Sequence, residues 1–284
     1  MTLNMLTTVG TKPNAFAPYG VSDERFKVIG GNDQIPRKLG EILADQIRFE
    51  HRLVSVRREK GSAVQLTFDQ GNGAPLIEQK FDAVILALPF STLRGIELAI
   101  EMSDRKRRCI EQLAYGHNVK VIQEFKTRPW RTHGEQGYLF GDVVPNAWDS
   151  SHQQLQNAGM GTYTSFLGGN DALKANAERL PELQTQYLRH YEQVFQGMTS
   201  AATGQAKIAA WPSNPWSRGS YSSFGPGQYV EFDGVAAQPL ERIYFAGEHC
   251  SSAFWGFMEG AARTGQEAAK QVVRVLQLGA GKGG

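Results

Sequence analysis

Glu241 to Leu276, ERIYFAGEHCSSAFWGFMEGAARTGQEAAKQVVRVL, reads as a strand, a loop and a long helix. The strand spans Arg242 to Ala246. It ends at Gly247-Glu248, where a glycine permits close backbone approach and a carboxylate can accept hydrogen bonds from sugar-type hydroxyls. The helix starts near Phe257, and Ala261, Gly265, Ala268, Val272 and Leu276 fall three or four apart on its inner face. Small residues on that face let a helix sit close on a sheet. Its first turn offers unpaired N–H groups and the positive end of the helix dipole to an electron-rich ring system or a phosphate. On these residues alone two readings stand: a cofactor-binding turn, or an ordinary Ala-rich helix packed on a strand.

Working outward, Ala83 to Pro89 (AVILALP) is continuously apolar, as expected of a strand covered on both faces, and Pro89 ends it. This strand should run beside Ile243 to Ala246. Phe26 to Ile29 predicts a short strand leading into Gly30-Gly31. Gln34 to Ile47 then carries Ile35, Leu39, Ile42, Leu43 and Ile47 at helical spacing. Leu53 to Val56 and Val64 to Phe68 read as strands of a hairpin-bearing sheet, with a Gly-rich turn at Gly71 to Pro75. Between about Ser91 and Pro239 strands mix with longer helices and with aromatic, proline-rich loops. Val119 to Phe125 and Gly161 to Leu167 are expected strands. Leu180 to Phe195 is an expected helix with Leu183, Tyr187, Tyr191 and Phe195 on one side.

Several of these segments carry a resemblance. FAGEH, followed by WGFMEGAARTGQEAA, closely resembles the C-terminal FAD motif of the flavin-containing amine oxidase family, which includes monoamine, polyamine and L-amino-acid oxidases. SDERFKVIGGNDQIPRKL at 22 to 39, FDAVILALPFSTL at 81 to 93, the stretch around Lys120 with FKTRPW, and WPSNPWSRGSYSSFGPGQ at 211 to 228 resemble the same family in its order. The resemblance implies a mixed α/β fold in which an incomplete FAD-binding, Rossmann-like domain joins a substrate domain of mixed sheet and helix. Its pieces would be 24–95 and 240–278 for the FAD-binding domain, 1–23 and 96–239 for the substrate domain, and a flexible tail at 279–284.

The family cradles the FAD pyrophosphate in an N-terminal strand, GxGxxG turn and helix. Gly30-Gly31 precedes Asn32-Asp33-Gln34, and Gly71-Asn72-Gly73 sits in a polar turn, so neither supplies that pattern. The opening MTLNMLTTVG looks like the middle of the family's substrate domain. The expectation is a C-terminal portion, with an N-terminal half or subunit carrying the GxGxxG unit as partner.

The resemblance also implies roles. Lys120 matches the lysine that holds a water against flavin N5 and assists reaction with molecular oxygen. Taken by itself, it would better suit the solvent face of an edge strand. Tyr221 and Phe257 match the aromatic pair between which a neutral amine passes, although either ring could instead be core. Relatives with Tyr at the position of Phe257 carry a phenolic oxygen that this chain lacks. Trp211 resembles a residue lying against the flavin, Leu53 one whose backbone meets the adenine end, and Gly247, Glu248, Gly256, Phe257 and Met258 the ribityl and ring contacts. Ser220 stands where some monoamine oxidases bond a cysteine to the flavin, so FAD is expected to be noncovalent. His249 and Trp255 receive no role.

Composition agrees. With 284 residues and 41% hydrophobic content the chain can bury one large core or two modest ones. A net charge of +2 from 30 basic and 28 acidic residues provides no electrostatic case for nucleic acid or membrane. The one basic run, Arg105 to Arg108, reads as a solvated helix start. Two cysteines without metal-ligand spacing to the six histidines fit a reducing, cytoplasmic compartment and no metal. No apolar run is long enough for a membrane span. The leading expectation is FAD-dependent oxidation of an amine or L-amino acid. The alternatives are a remnant or regulatory partner that binds no flavin alone, and another flavin oxidoreductase of the same fold, such as a desaturase or protoporphyrinogen oxidase.

Overall fold

The computed structural model describes residues 10–12, 15–17, 26, 28–59, 61, 63–132, 134–151 and 159–280. In chain order the strands are β1 (Gly10–Lys12), β2 (Ala15–Ala17), β3 (Arg52–Arg57), β4 (Val64–Asp69), β5 (Ile77–Phe81), β6 (Val84–Leu86), β7 (Glu97–Ala99), β8 (Asn118–Phe125), β9 (Asn146–Asp149), β10 (Gly161–Gly168), β11 (Ala202–Ala210) and β12 (Ile243–Phe245). The main helices are α1 (Gln34–Ile42), α2 (Asp104–Gln112), α3 (Leu180–Val194) and α4 (Met258–Ala280). The mixed α/β architecture is the one expected.

One core forms on the four-stranded sheet ordered β11-β8-β10-β9, antiparallel throughout. Val119, Val121 and Phe125 alternate inward along β8, as period-two patterning requires. The face of α3 expected from sequence, Leu183, Tyr187 and Tyr191 with Phe195 beyond its end, closes over them. Aromatic rings bind the layer: Trp130 packs edge-on to Phe125 with centroids 5.3 Å apart, and Tyr163 meets Tyr191 at 4.9 Å. Such pairs contribute about 1 kcal/mol each beyond the area they bury.

The second core joins the sheet β5-β4-β3-β7 to the parallel pair β12-β6. As expected, Ile243, Tyr244 and Phe245 run beside Val84, Ile85 and Leu86 in parallel register. The packing also draws Ile100, Cys109, Ile110 and Leu113, and Phe232, Val235 and Ala236, into this core. Ser103 caps α2 by accepting from the Lys106 amide at 3.2 Å. The basic run is not wholly solvated, because Lys106 is only 1% exposed. α4 packs on β12 through Ala268, Val272 and Val275 against Tyr244 and Ala246. Leu276, expected on that stripe, is exposed, and Val275 takes its place. α4 runs to Ala280, two residues into the expected tail, and 281–284 lie outside the described residues.

Two expectations fail. Phe26, Val28 and Ile29 form no strand, and Ile29 is 94% exposed. The helix expected over 34–47 is α1 followed by a 3-10 turn at Ala44–Gln46, and it buries no residue: Ile35, Leu39, Ile42 and Leu43 all face out. β6 is shorter than expected and open on one face, where Ile85 is exposed. Periodicity identifies an apolar face, but only packing decides whether something covers it. Among the described residues nothing does. Most of residues 1–23 lie outside the described residues, apart from the β1–β2 hairpin. No helix among the described residues is long and apolar enough to cross a membrane.

Candidate functional site

β12 delivers the chain to Gly247, whose φ of 144° and proximity to the His249 ring leave no room for a side chain. Thr264, nearly two turns into α4, fixes this turn: its Oγ1 accepts from the Gly247 amide at 3.0 Å and faces the Gly247 carbonyl at 2.9 Å. The loop 251–257 then folds back over the helix start. A Cβ on Gly260 would fall inside the contact shell of the Phe254 carbonyl oxygen, so only glycine lets the loop lie so close. The amides of Gly260 and Ala261 turn to the Phe257 carbonyl, at 3.1 and 3.3 Å. Met258 is exposed, and its sulfur lies 4.0 Å from Asn32 Nδ2, which brings the Gly30-Gly31 turn to the head of α4.

A second segment, 220–223, lies along the lead-in to β8. The Gly116 amide donates to the Tyr221 carbonyl at 2.8 Å, Ser220 N to Gly116 O at 2.9 Å, and Ser223 N to Ala114 O at 2.8 Å. Ser220 Oγ reaches Asn118 Oδ1 at 2.6 Å. Lys120, two residues on, occupies the same half-exposed face of β8 as Asn118. Its ammonium lies 5.7 Å from the ring centres of both Trp148 and Phe166. β8 is an inner strand, flanked by β11 and β10, so the edge-strand reading of Lys120 does not hold.

The two segments meet at Gly256, which adopts a left-handed φ of 79°. The direction in which its Cβ would point leads to the Tyr221 ring, at 3.8 to 4.0 Å, an ordinary contact distance. Tyr221 therefore packs against Gly256, the residue that precedes Phe257. Glu248 fastens them: Oε1 accepts from Ser222 N at 2.8 Å, and Oε2 from Ser222 Oγ at 2.8 Å and from Gly256 N at 2.9 Å. Trp255 Nε1 donates to the same Ser222 hydroxyl.

Trp211 follows β11 directly. Its carbonyl accepts from Gly219 N at 3.3 Å and Ser217 Oγ at 2.9 Å, closing the 211–219 loop on itself. Because Ala210 pairs with Val119, Trp211 stands near the end of β8 that carries Asn118 and Lys120, with its ring half exposed. Leu53 is placed elsewhere, in β3 opposite Phe68 and beside an irregularity in the ladder, with its side chain on the second core. The fold thus sets Tyr221 against Gly256 of the 247–258 loop and carries Lys120 and Trp211 on neighbouring strands β8 and β11, while Leu53 packs on the second core, which Cys250 and Trp255 of the loop also join. Sequence reading missed Ser222 and left Trp255 without a role. A serine beside a tyrosine carries no signal until the partners of its hydroxyl are known.

Behind the turn lies a buried polar group. Lys106 Nζ donates to the carbonyls of Val235 at 3.1 Å and Ala236 at 2.7 Å and lies 3.6 Å from the centre of the Phe245 ring. Burial lowers its pKa to about 8. Burial, and then the Lys106 charge, push His249 down to about 4, which keeps its imidazole neutral at physiological pH. Burial also raises the Cys109 thiol to about 11 and that of Cys250 to about 12, so neither is a ready nucleophile.

Residues 8–273 match the flavin containing amine oxidoreductase family, and the chain belongs to it. Relatives include the horse flavin-containing amine oxidase A, 24% identical over 257 residues that cover 88% of this chain and 47% of the horse protein. A Synechocystis L-amino acid dehydrogenase is 26% identical over 264 residues, 92% of this chain and 54% of its own. Among solved structures, cyclohexylamine oxidase from Brevibacterium oxydans superposes with a TM-score of 0.74 at 18% identity, over 87% of this chain and 53% of that one. A triple mutant of putrescine oxidase gives 0.75 at 24% identity, over 89% and 56%. At these identities the structural likeness is one of fold. The chain spans about half the length of the relatives it matches.

Proposed function

We propose that this chain supplies the substrate-facing walls and the ring end of the cofactor site in an FAD-dependent oxidase of amines or L-amino acids. The reaction would convert the amine to an imine and molecular oxygen to hydrogen peroxide, with hydrolysis of the imine then releasing ammonia. The observation that carries this reading is the meeting of Tyr221 and Gly256-Phe257 beside the strand that bears Lys120.

The residues present fit such a cofactor. The left-handed turn at Gly256, half-exposed rings at Trp211 and Phe257, and the head of a long helix at Met258 suit an extended aromatic ring with a polyol chain. Glu248 has used three of roughly four acceptor positions, leaving one for a sugar hydroxyl. When bound, FAD would accept a hydride equivalent from the carbon next to nitrogen. Tyr221 and Phe257 would align the amine between ring faces without a hydrogen bond to its lone pair. Lys120 would hold a water and favour reaction with oxygen, and Leu53 would serve the adenine end. Ser220, which offers a hydroxyl and no thiol, supports noncovalent binding.

An N-terminal half carrying the GxGxxG unit belongs to this reading. Its support is the exposed apolar residues Ile29, Ile35, Leu39 and Ile42 at and before α1 and Ile85 of β6, together with a parallel sheet of two strands among the described residues. Parallel sheets are stable when covered on both faces. The same observation favours a second reading, a partner protein that binds no flavin alone. Flavin absorbance of the purified chain, alone and after mixing with an N-terminal half, separates them. Colour and peroxide only in the mixture support the oxidase. A colourless mixture that releases no peroxide refutes it.

A further inference from the structure

We propose that Ser222 and Glu248 are positioning residues that set the separation of the Tyr221 and Phe257 rings, and with it the width of the passage between them. The passage and its use by an amine rest on the function proposed above; the contacts that tie the two segments together at Glu248 do not.

Each ring sits one residue from an anchored amide. Tyr221 precedes Ser222, and Phe257 follows Gly256. Both amides, at 2.8 and 2.9 Å, end on the one carboxylate of Glu248. Ser222 is 3% exposed, and its hydroxyl is used twice, donating to Glu248 at 2.8 Å and accepting from the indole of Trp255. The indole in turn stands on Phe224, with centroids 3.7 Å apart, two residues beyond Ser222. The loop 248–257 and the segment 220–224 are therefore closed into a ring of contacts from both ends. The other side of Tyr221 is held by the ladder to 114–116, including the bridge between Tyr115 and Ser222. Movement of Phe257 relative to Tyr221 has to break this clasp. Hydrogen bonds to an ionised carboxylate are about twice as strong as neutral ones, so a clasp of three resists that movement.

The chemistry at Glu248 is selective. All three partners are donors, so a carboxylate satisfies them and an amide does not: Glu248→Gln, of nearly the same shape, turns an NH2 towards at least one N–H or O–H. Ser222→Ala removes the hydroxyl that links Trp255 to Glu248 and keeps the backbone amide. Ser222→Thr restores the hydroxyl.

Hydrogen exchange on the full chain tests the coupling without any cofactor. Glu248→Gln and Ser222→Ala should each speed exchange about tenfold in both segments, 220–224 and 254–258, leaving β8 unchanged, and Ser222→Thr should restore protection. Acceleration confined to the mutated segment would overturn the proposal. In flavin-loaded enzyme, Ser222→Ala should erode the preference between narrow and wide amines severalfold in kcat/KM, with the flavin spectrum unchanged. A preference identical to wild type would count equally against it. If exchange is coupled but no amine is oxidised, the clasp stands and the oxidase reading fails. If amines are oxidised but exchange is uncoupled, the reverse holds.

Discussion

Replacing Lys106 with Met provides a quantitative test of the buried cluster behind the turn. Lys106 is 1% exposed, donates to two carbonyls and has a pKa lowered from 10.5 to about 8 by burial. Holding the charge there below pH 8 costs about 3 kcal/mol relative to the unfolded chain. The sign follows from proton counting. Between pH 8 and 10.5 the unfolded chain carries the proton and the folded chain has largely shed it, so stability rises with pH in that window. Integrated from pH 7 to 9, this one group adds about 1 kcal/mol. Cys109 and Cys250, raised to about 11 and about 12, act oppositely at the upper end. The Lys106 charge lowers both thiols, and without it they would rise further, so in wild type and variant alike the folded thiols stay protonated through pH 9 and their contribution over that range cancels in the difference. Met leaves the carbonyls of Val235 and Ala236 without their donor, at about 1 to 3 kcal/mol each, so the variant should not be more stable at pH 9. Urea unfolding of both proteins at pH 7, 8 and 9 measures the effect. The wild type should gain about 1 kcal/mol on the variant across that range. A difference independent of pH, or one that shrinks as pH rises, refutes the placement of a charged Lys106 in the core.

Three further outcomes are expected. His249, lowered from 6.5 to about 4, contributes stability that is full above pH 6.5 and lost as pH falls to 4, by about 3 kcal/mol in total; His249→Gln should flatten acid unfolding followed by circular dichroism between those values. Gly260→Ala should destabilise by about 3 kcal/mol through collision with the Phe254 carbonyl, whereas Gly265→Ala, with open space around its Cβ, should stabilise by about 0.5 to 1 kcal/mol. Thermal melts of the pair check both, and equal shifts would contradict the loop geometry. In flavin-loaded enzyme, Lys120→Met should slow reoxidation by oxygen at least tenfold more than anaerobic reduction. Stopped-flow absorbance resolves the two steps, and equal slowing would remove Lys120 from its proposed role.

What could be read before folding was local or periodic. The α3 face Leu183, Tyr187, Tyr191, the alternation along β8, and the strand–turn–helix from Ile243 into α4 all follow from spacing, because one side of each element is buried and repeats at the period of its backbone. Lys120, Tyr221 and Phe257 were named through resemblance, and their catalytic roles stand as part of the proposed function. Where periodicity misled, coverage was the reason. α1 has a flawless apolar stripe and buries none of it, since a stripe records what a helix can pack against and not what is there. Lys106, read as one charge in a solvated run, is buried because α2 turns that one position of the run towards Phe245 and the carbonyls of 235 and 236.

By itself, then, the sequence determined the family and the principal strands and helices, and it named the residue types on which the proposed site rests, all of which are properties of short stretches. Tertiary structure alone decided that Glu248 binds Ser222 and Gly256, that Trp255 shares the same hydroxyl, and that Lys120 lies on an inner strand. These are contacts between residues up to 33 positions apart, or between strands whose order sequence does not encode. A hydrogen bond depends on where both of its ends come to rest, and that is known only once the chain has closed on itself.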